Sequence, residues 1–184
     1  MTIEQLNQNE LYVTNNIELG SKYNCSLIYG TNAVGKSSLI KSIGINIILA
    51  QSGNYVPSTS FKYYPYNSLF TRILNTDNIF KGLSTFALEM SELRNILKYS
   101  DKNSIVLGDE LCSGTESVSG LSIFTASLER LHNNEVTSIF ATHYHELLKN
   151  DEIKNLNKLK INHMSVIFDK KTNKLIYDRK LKDG

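Results

Sequence analysis

Cysteines are scarce in this sequence, and apolar runs of membrane length are absent from it. Only Cys25 and Cys112 occur in 184 residues, which is too few for a disulfide framework or a cysteine-rich metal site and is typical of a reducing compartment. No apolar run approaches the roughly twenty residues that cross a bilayer, and the first residues lack the basic and then apolar pattern of a signal peptide. We therefore expect a soluble, intracellular chain with no membrane partner.

Net charge, proline and repeats are equally scarce. The 20 Lys and Arg residues against 18 Asp and Glu leave a formal net charge of +2, which is too small to indicate a nucleic-acid surface by itself. The sequence has 2 prolines, and no internal repeat or low-complexity tract marks a linker. Because 41% of the residues are hydrophobic, we predict one globular domain over residues 1–184.

The first distinctive motif is the stretch IYGTNAVGKSS at residues 28–38. From Gly30 to Ser37 it fits GxxxxGKS, in which N–H groups of the loop and helix bind phosphates, the lysine neutralises them and the serine hydroxyl binds Mg²⁺. The β-prone CSLIYG precedes it, and apolar residues at three- and four-residue intervals follow it, as strand, loop and helix require. These apolar positions are Leu39, Ile43, Ile47 and Ile48, and Gly53 is predicted to end the helix. The alternative is an ordinary turn that carries a surface lysine.

A second phosphate-site element is the segment KNSIVLGDEL, in which an apolar run at 105–107 comes before Asp109 and Glu110. At the carboxyl end of a strand, the first acid can bind Mg²⁺ and the second can orient or deprotonate the water that attacks a γ-phosphate. The alternative is a strand that ends in solvated charges. The acids follow the GxxxxGKS motif by about seventy residues, as in nucleotide-hydrolysing domains, and this spacing favours hydrolysis.

Two further segments bear on the phosphates. VTSIFATHYHEL ends a third apolar run with Thr142 and His143, and a histidine there can contact a γ-phosphate. The alternatives are a metal-binding pair with His145, or unspecialised polar residues at a strand-to-helix junction. In GLSTFALEMSEL a helix is predicted to begin at Ser84, which is either a simple N-cap or an anion site for the phosphate of another subunit. The apolar stripe of this helix is Phe86, Met90, Leu93 and Leu97.

The strand and helix pattern predicts an α/β fold. Strands at 26–29, 105–107 and 138–141 should form a mostly parallel sheet flanked by helices, with phosphates at the carboxyl ends of the strands. The segment HMSVIFDKKTNKLIYDRKL alternates apolar and polar residues on both sides of a turn at 171–173. We therefore expect the chain to close with a C-terminal β-hairpin.

These segments together resemble the ATPase domain of the MutS family of DNA mismatch-repair proteins, a P-loop NTPase of the ABC type. YGTNAVGKSS resembles GPNMGGKST of that family, LFTRIL its IFTRIG, GLSTFALEMSEL its GxSTFMVEMxE signature and GDELCSGTES its DEIGRGTST, and ATHYHEL matches outright. The resemblance follows the family order over most of the chain. The sequence also resembles the divergent branch of MutS known from large DNA viruses and some organelles.

The resemblance implies ATP and Mg²⁺ as cofactors and gives roles to residues by position. The phosphate-binding positions are Gly30, Thr31, Asn32, Ala33, Val34, Gly35, Lys36, Ser37 and Ser38. Asp109 with Ser37 would bind Mg²⁺, Glu110 would activate water, and His143 would contact the γ-phosphate with Lys36. The base would contact Tyr12, Val13 and His163, and Ser84 would act in trans on ATP held by a second subunit.

The same resemblance implies a biological setting. The mismatch-binding, connector, lever, clamp and dimerisation elements of the family would lie outside this chain, so DNA partners and stable dimers belong to a longer protein. The isolated domain is expected to be a monomer or weak dimer and a slow ATPase. The family arginine after the acids is replaced by Ser113 and the apolar residue before them by Gly108. The alternatives are an ABC-type chromosome-maintenance or transporter ATPase, whose signature resembles LSGGQ, and a non-catalytic nucleotide-dependent dimerisation module.

Overall fold

Strands and helices alternate along most of the chain, as a parallel sheet with crossover helices requires. The computed structural model describes residues 13–20, 22–73, 85–112, 115–169 and 173–184. Its strands are β1 Cys25–Tyr29, β2 Ser68–Arg72, β3 Ser104–Asp109, β4 Thr137–Thr142, β5 Leu159–Met164, β6 Ile167–Asp169, β7 Lys174–Ile176 and β8 Leu181–Asp183. Its helices are α1 Lys36–Gln51, α2 Thr85–Tyr99, α3 Ser117–Asn133 and α4 Asp151–Lys154, with a 3₁₀ helix at His145–Lys149.

The main sheet has six strands in the order β2-β3-β4-β1-β5-β8. The first five strands are parallel, and β8 pairs with β5 in the antiparallel direction. Strand β4 therefore lies between β1 and β3, which carry the glycine-rich and the acidic motifs. The α/β class and the mostly parallel sheet are confirmed, and the carboxyl ends of β1, β4 and β3 lie side by side at one edge.

Both faces of this sheet are covered, which explains why the central strands are continuously apolar. Successive residues of β3 point to opposite faces: Ile105 and Leu107 pack in the core cluster under α1, and Val106 packs in the cluster under α2 and α3. All six residues of β3 are buried. The predicted strands at 26–29, 105–107 and 138–141 are thus confirmed within slightly longer strands.

Helix α1 follows the glycine-rich motif as predicted, and the predicted Leu39, Ile43 and Ile47 pack against the core, but the centre of the buried stripe is shifted. Ile40, Gly44 and Ile47 are buried, whereas the predicted Ile48 is 53% exposed. The shift has a packing reason, because Gly44 lets the helix approach β3 so closely that a Cβ there would lie 2.8 Å from Leu107 Cδ1. The predicted stop at Gly53 is confirmed, since this residue has φ +75° just after the helix.

The predicted C-terminal β-hairpin is confirmed, and one more strand follows it. A hairpin forms, with β6 and β7 paired antiparallel from Ile167 opposite Ile176 to Asp169 opposite Lys174. It is a separate two-stranded sheet, however, and it does not close the chain. The last strand returns to the main sheet, where Leu181 pairs with Met164 of β5. Strand β5 was hidden from sequence reasoning because its pattern runs into that of the hairpin without a turn signal.

Two local features of the sheet bear on the site. Gly108, which stands where an apolar residue is usual, lies opposite Phe140 of β4, and a Cβ there would come within 2.2 Å of the Phe140 ring. The glycine therefore makes room for a buried aromatic ring beside the acidic motif. Within the described residues, no helix combines the length and the apolar character needed to cross a bilayer.

Candidate functional site

The loop between β1 and α1, residues 30–35, is called here the glycine-rich loop. Its backbone turns through positive φ at Gly30 (151°), Ala33 (63°) and Gly35 (102°). Glycine adopts such angles without a Cβ clash, whereas Ala33 does so at a cost of about 1 kcal/mol. The turn places the first residues of α1 so that their N–H groups, which have no carbonyl partners within the helix, point away from its start. This is the local geometry of an anion site.

The lysine of the motif is buried inside this loop. Lys36 is only 4% exposed, and its Nζ donates hydrogen bonds to the carbonyl oxygens of Gly30 (2.6 Å) and Thr31 (2.8 Å). Burial lowers the pKa of Lys36 from its usual value, while the carboxylates of Glu110 and Asp109 oppose that shift. An ordinary turn with a surface lysine is therefore excluded, because the ammonium is enclosed and faces two carboxylates.

The acids that end β3 open what is called here the acidic loop, residues 109–112. Asp109 is 5% exposed, and its buried Oδ1 has no hydrogen-bond partner among the described residues. Glu110 adopts φ 51°, and its N–H donates to the carbonyl of Ala141 at the end of β4 (2.9 Å). A non-glycine residue in this left-handed region costs about 1 kcal/mol, so the loop is held by its surroundings. The acids are not solvated charges at a free strand end.

The two loops line one cavity of about 370 Å³ at the carboxyl edge of the sheet. Its lining comprises Asn32, Ala33, Gly35, Lys36, Ser37, Ser38 and Glu110. Val34 does not present its side chain there, because that side chain is fully buried in the core under α1. A larger cavity of about 500 Å³ lies at the other end of β3 and is lined by Asp101, Lys102 and Glu135 with three further polar residues. It has no glycine-rich loop or helix start, so we place the candidate site in the smaller cavity.

The histidine expected at the γ-phosphate lies beside this cavity and not in its lining. His143 directly follows β4, is exposed, and packs its ring against Tyr144 with centroids 4.6 Å apart. Thr142 is fully buried, and its hydroxyl oxygen accepts the N–H of Tyr144 (3.0 Å). The main chain is thus fixed at the end of β4 while the His143 ring faces solvent. His145 lies on the other side of Tyr144, with its ring near Tyr29.

Of the residues predicted to contact the base, Val13 and His163 are described. His163 lies at the end of β5, opposite Tyr29 of β1, and its ring centroid is 5.6 Å from that of Tyr29. Its Nδ1 is enclosed without a hydrogen-bond partner among the described residues. Val13 is half-buried, and neither residue lines the cavity. Tyr12, Ser84 and Ser113 lie outside the described residues, so their predicted roles stay predictions.

Sequence reasoning missed a buried polar cluster next to the acidic loop. Glu89 of α2 is 3% exposed, and its Oε1 accepts the N–H of Cys112 (2.7 Å). Arg72 of β2 lies 3.7 Å from the same oxygen. The signal was present, because Glu89 stands between Phe86 and Leu93 on the apolar stripe of α2. A carboxylate on a core-facing stripe indicates a buried partner.

Cys112 itself is fully buried, with φ 64°, and its carbonyl accepts the hydroxyl of Tyr144 (2.9 Å). Burial and the nearby Glu89 carboxylate raise the pKa of the Cys112 thiol to about 12. Both cysteines are free thiols. The acidic loop is therefore bonded to β4, to α2 and to the segment that follows β4.

The sequence of this chain matches a known protein family. The family model described as MutS domain V matches residues 26–184. A DNA mismatch repair protein mutS homologue of Acanthamoeba polyphaga mimivirus is 47% identical over 169 residues, which are 90% of this chain and 15% of the relative. A mitochondrial mutS homologue of Sarcophyton glaucum is 43% identical over 182 residues, 99% of this chain and 18% of the relative. The bacterial MutS of Finegoldia magna is 39% identical over 175 residues, 94% of this chain and 20% of the relative.

A virus and a mitochondrion are the kinds of source expected for the divergent branch that the sequence resembles. The chain spans about a fifth or less of the length of these curated relatives, with 15%, 18% and 20% covered.

Proposed function

The chain belongs to the MutS family, and on that basis we propose that it binds ATP with Mg²⁺ between the glycine-rich and acidic loops and hydrolyses it. One observation carries the proposal. Lys36, with its buried ammonium, and Glu110 line one cavity beside the start of a helix. The carboxylate of Asp109 lies near enough to oppose the lowering of the Lys36 pKa, as that of Glu110 does. A phosphate site needs the ammonium and the helix start, whereas a hydrolytic site also needs the acids.

The residues present fit Mg²⁺. Asp109 has a buried Oδ1 that no described group satisfies, and leaving such an oxygen without a partner is costly. Ser37 lines the cavity and offers a hydroxyl oxygen. Oxygen ligands of these two kinds suit Mg²⁺, which keeps most of its waters and binds one or two carboxylates plus phosphate. When bound, the ion would neutralise phosphate charge and orient the phosphates.

The hydrolytic step then follows from the positions of the chain's own groups. The Glu110 carboxylate lines the cavity and takes a proton from a water whose oxygen attacks the γ-phosphorus. The bond from that phosphorus to the bridging oxygen breaks, and its electron pair leaves with ADP. The Lys36 ammonium and the N–H groups of the glycine-rich loop stabilise the charge that develops on the phosphate oxygens. Phosphate and ADP are the products.

The other predicted residues complete this proposal. His143 reaches the γ-phosphate by rotating its exposed ring from Tyr144 toward the cavity. Tyr12, Val13 and His163 contact the base, and Ser84 completes the site of a second subunit. Because that second half comes from another chain, turnover by the isolated domain is slow.

The role in the longer protein is proposed by family. We infer that ATP binding and hydrolysis control the clamping of mismatched or branched DNA by domains outside this chain, in a dimer of this protein or with a homologue. The relatives carry the description DNA mismatch repair protein, which supports a repair role over chromosome-maintenance or transporter functions. A purely non-catalytic module is disfavoured, because it has no need of a water-activating acid such as Glu110.

The test is a comparison of Glu110→Gln with the wild-type chain in ATP binding and phosphate release. Replacing the proton acceptor should lower turnover by about 10²-fold or more while the Kd for ATP stays within about twofold. Glu146→Gln is the matched control, since Glu146 is an exposed carboxylate outside the cavity lining. Equal turnover in Glu110→Gln and wild type would refute the proposed role of the acid, and the absence of ATP binding in wild type would refute the site.

The two-subunit part has its own readout. Sedimentation velocity of Glu110→Gln, in which bound ATP persists, should show an ATP- and Mg²⁺-dependent shift from monomer to dimer. An ATP-saturated variant that stays monomeric would contradict a site completed by a second copy of this chain.

A further inference from the structure

The Glu89 carboxylate has an unusual place for a charged group. It lies on the core face of α2, is 3% exposed, and its hydrogen bond goes to the main chain of the acidic loop at Cys112 (2.7 Å). A hydrogen bond to an ionised acceptor is about twice as strong as a neutral one. The core position of Glu89 therefore serves a contact with the loop that carries Glu110.

The loop needs such a contact because its backbone is held away from its preferred angles. Glu110 and Cys112 both have positive φ, 51° and 64°. At the start of the loop the N–H of Glu110 donates to the carbonyl of Ala141 (2.9 Å). At its end the N–H of Cys112 donates to the carboxylate of Glu89. Between these two bonds the chain has little freedom to relax, and the direction of the Glu110 side chain is set by that turn.

Arg72 lies beside Glu89 without competing for its contact with the loop. Its Nη2 lies 3.7 Å from Glu89 Oε1, an ion-pair distance and not a direct hydrogen bond. Its Nε lies 3.1 Å from Glu92 Oε2, one turn farther along α2, in an ion pair without hydrogen-bond alignment. The guanidinium, 13% exposed, thus sits between two carboxylates, and only Glu89 of the two contacts the acidic loop.

We propose that Glu89 is a positioning residue for ATP hydrolysis, which fixes the left-handed turn of the acidic loop and so directs the Glu110 carboxylate into the cavity. The proposal rests on the proposed function of Glu110. Through Glu89 and its partner Arg72, helix α2 and strand β2 are joined to the loop. A displacement of α2 is thereby transmitted to the water-activating acid.

The variant that tests this is Glu89→Met, which keeps side-chain volume and removes the acceptor. We expect kcat to fall about tenfold or more, because a misplacement of about 1 Å can cost that much, while the Kd for ATP stays within about twofold. Glu89→Gln keeps a neutral acceptor and should retain kcat within about threefold. Glu92→Gln is the matched control, because Glu92 pairs with the same arginine but does not contact the loop, and it should leave kcat unchanged.

A second measurement reports on the loop itself and does not depend on turnover. Amide hydrogen exchange at Cys112 should be about tenfold or more faster in Glu89→Met and several-fold faster in Glu89→Gln. Exchange at Val106 and Leu107, in the centre of β3, should not change, nor should exchange at Cys112 in Glu92→Gln. If Glu89→Met does not fold, the comparison of Glu89→Gln with Glu92→Gln at the Cys112 amide decides the question.

The outcomes separate this proposal from the one it rests on. Wild-type kcat and Cys112 exchange in Glu89→Met would overturn the positioning role. A parallel loss of ATP binding, kcat and β3 protection would also overturn it, since it would show a general structural role. If the wild-type chain binds no ATP or does not hydrolyse it, the proposed function fails, and faster exchange confined to Cys112 still establishes the hold of Glu89 on the loop.

Discussion

The glycine-rich loop and the acidic loop meet at one cavity but are stabilised in different ways. In the glycine-rich loop the bonds are local, since Lys36 donates to carbonyls 6 and 5 residues before it. In the acidic loop they are distant, since Cys112 is bonded to residues 23 and 32 positions away in the chain. The first loop therefore carries its own geometry, and the second takes its geometry from β4, α2 and the turn after β4.

This difference implies that the two halves of the site respond differently to substitution. A change within the glycine-rich loop acts directly on groups that line the cavity. A change at Glu89, Phe140 or Tyr144, none of which lines the cavity, can act on the acids from a distance. Three predictions probe this contrast, in order of decreasing effect.

The largest effect is expected in the glycine-rich loop, whose hydrogen bonds are local. Lys36→Met removes the ammonium and its bonds to Gly30 and Thr31. Charge-assisted hydrogen bonds contribute about 1.5–3 kcal/mol each, and the proposed bonds from Lys36 to the phosphates are lost, so we expect the Kd for ATP to rise about 100-fold or more. Amide exchange at Cys112 should stay as in wild type, because none of the hydrogen bonds that hold the acidic loop to Ala141, Glu89 and Tyr144 involves Lys36. Lys41→Met, an exposed lysine on the same helix, is the control and should bind ATP normally.

If the acidic loop depends on the glycine-rich loop, amide exchange at Cys112 should change in Lys36→Met. That result would mean that the two loops depend on each other, and it would refute the view that the acidic loop is held independently of the glycine-rich loop.

A smaller effect is expected where the acidic loop begins. In Gly108→Ala the new Cβ would lie 2.2 Å from the buried Phe140 ring. Overpacking of this kind lowers the free energy of unfolding by about 1–3 kcal/mol. Phe140→Leu makes room, so the double variant should lose less stability than the sum of the single variants, as measured by urea unfolding. Additive losses would show that the ring does not determine the choice of glycine.

The smallest effect concerns the thiol inside the acidic loop. The pKa of Cys112 is raised from 9.0 to about 12, mainly by burial and secondly by Glu89. Above pH 9 the unfolded chain loses this proton while the folded chain keeps it, so the thiol's contribution to stability falls as pH rises. Between pH 8 and pH 10 the wild type should lose about 1 kcal/mol more stability than Cys112→Ala in urea unfolding. Equal losses in the two proteins would indicate a loop that opens and lets the thiol titrate normally.

Much of the local structure of the two loops could be predicted, because each motif lies in one short continuous segment. The GxxxxGKS motif requires a strand before it and a helix after it, and β1 and α1 are there. Asp109 and Glu110 follow an apolar run, and β3 ends at Asp109. Spacing of three and four residues identified Leu93 as buried on α2. In each case the residues that carry the sequence pattern lie within, or directly beside, the helix or strand that the pattern predicts.

The remainder depends on contacts that no local pattern encodes. Ile48, which belongs to the predicted apolar pattern of α1, is exposed, and Ile40, which was not named in that pattern, is buried. The close approach of Gly44 to Leu107 sets this rotation of the helix. The return of β8 to β5 was not predicted, because an edge pairing depends on which strand lies open. The ring of His143 packs on Tyr144 at the surface, and its expected contact with the γ-phosphate stays a prediction.

The sequence by itself determined the geometry of the glycine-rich loop, since Gly30, Gly35 and Lys36 lie within a few residues of one another and Lys36 is bonded to the carbonyl of Gly30. Tertiary structure alone decided how the Glu110 carboxylate is directed. That direction depends on a bond from Cys112 to Glu89 across 23 residues and on another to Tyr144 across 32. The physical reason is range: main-chain angles and helical spacing act between near neighbours, whereas a buried carboxylate finds its partner only after the sheet and helices have packed.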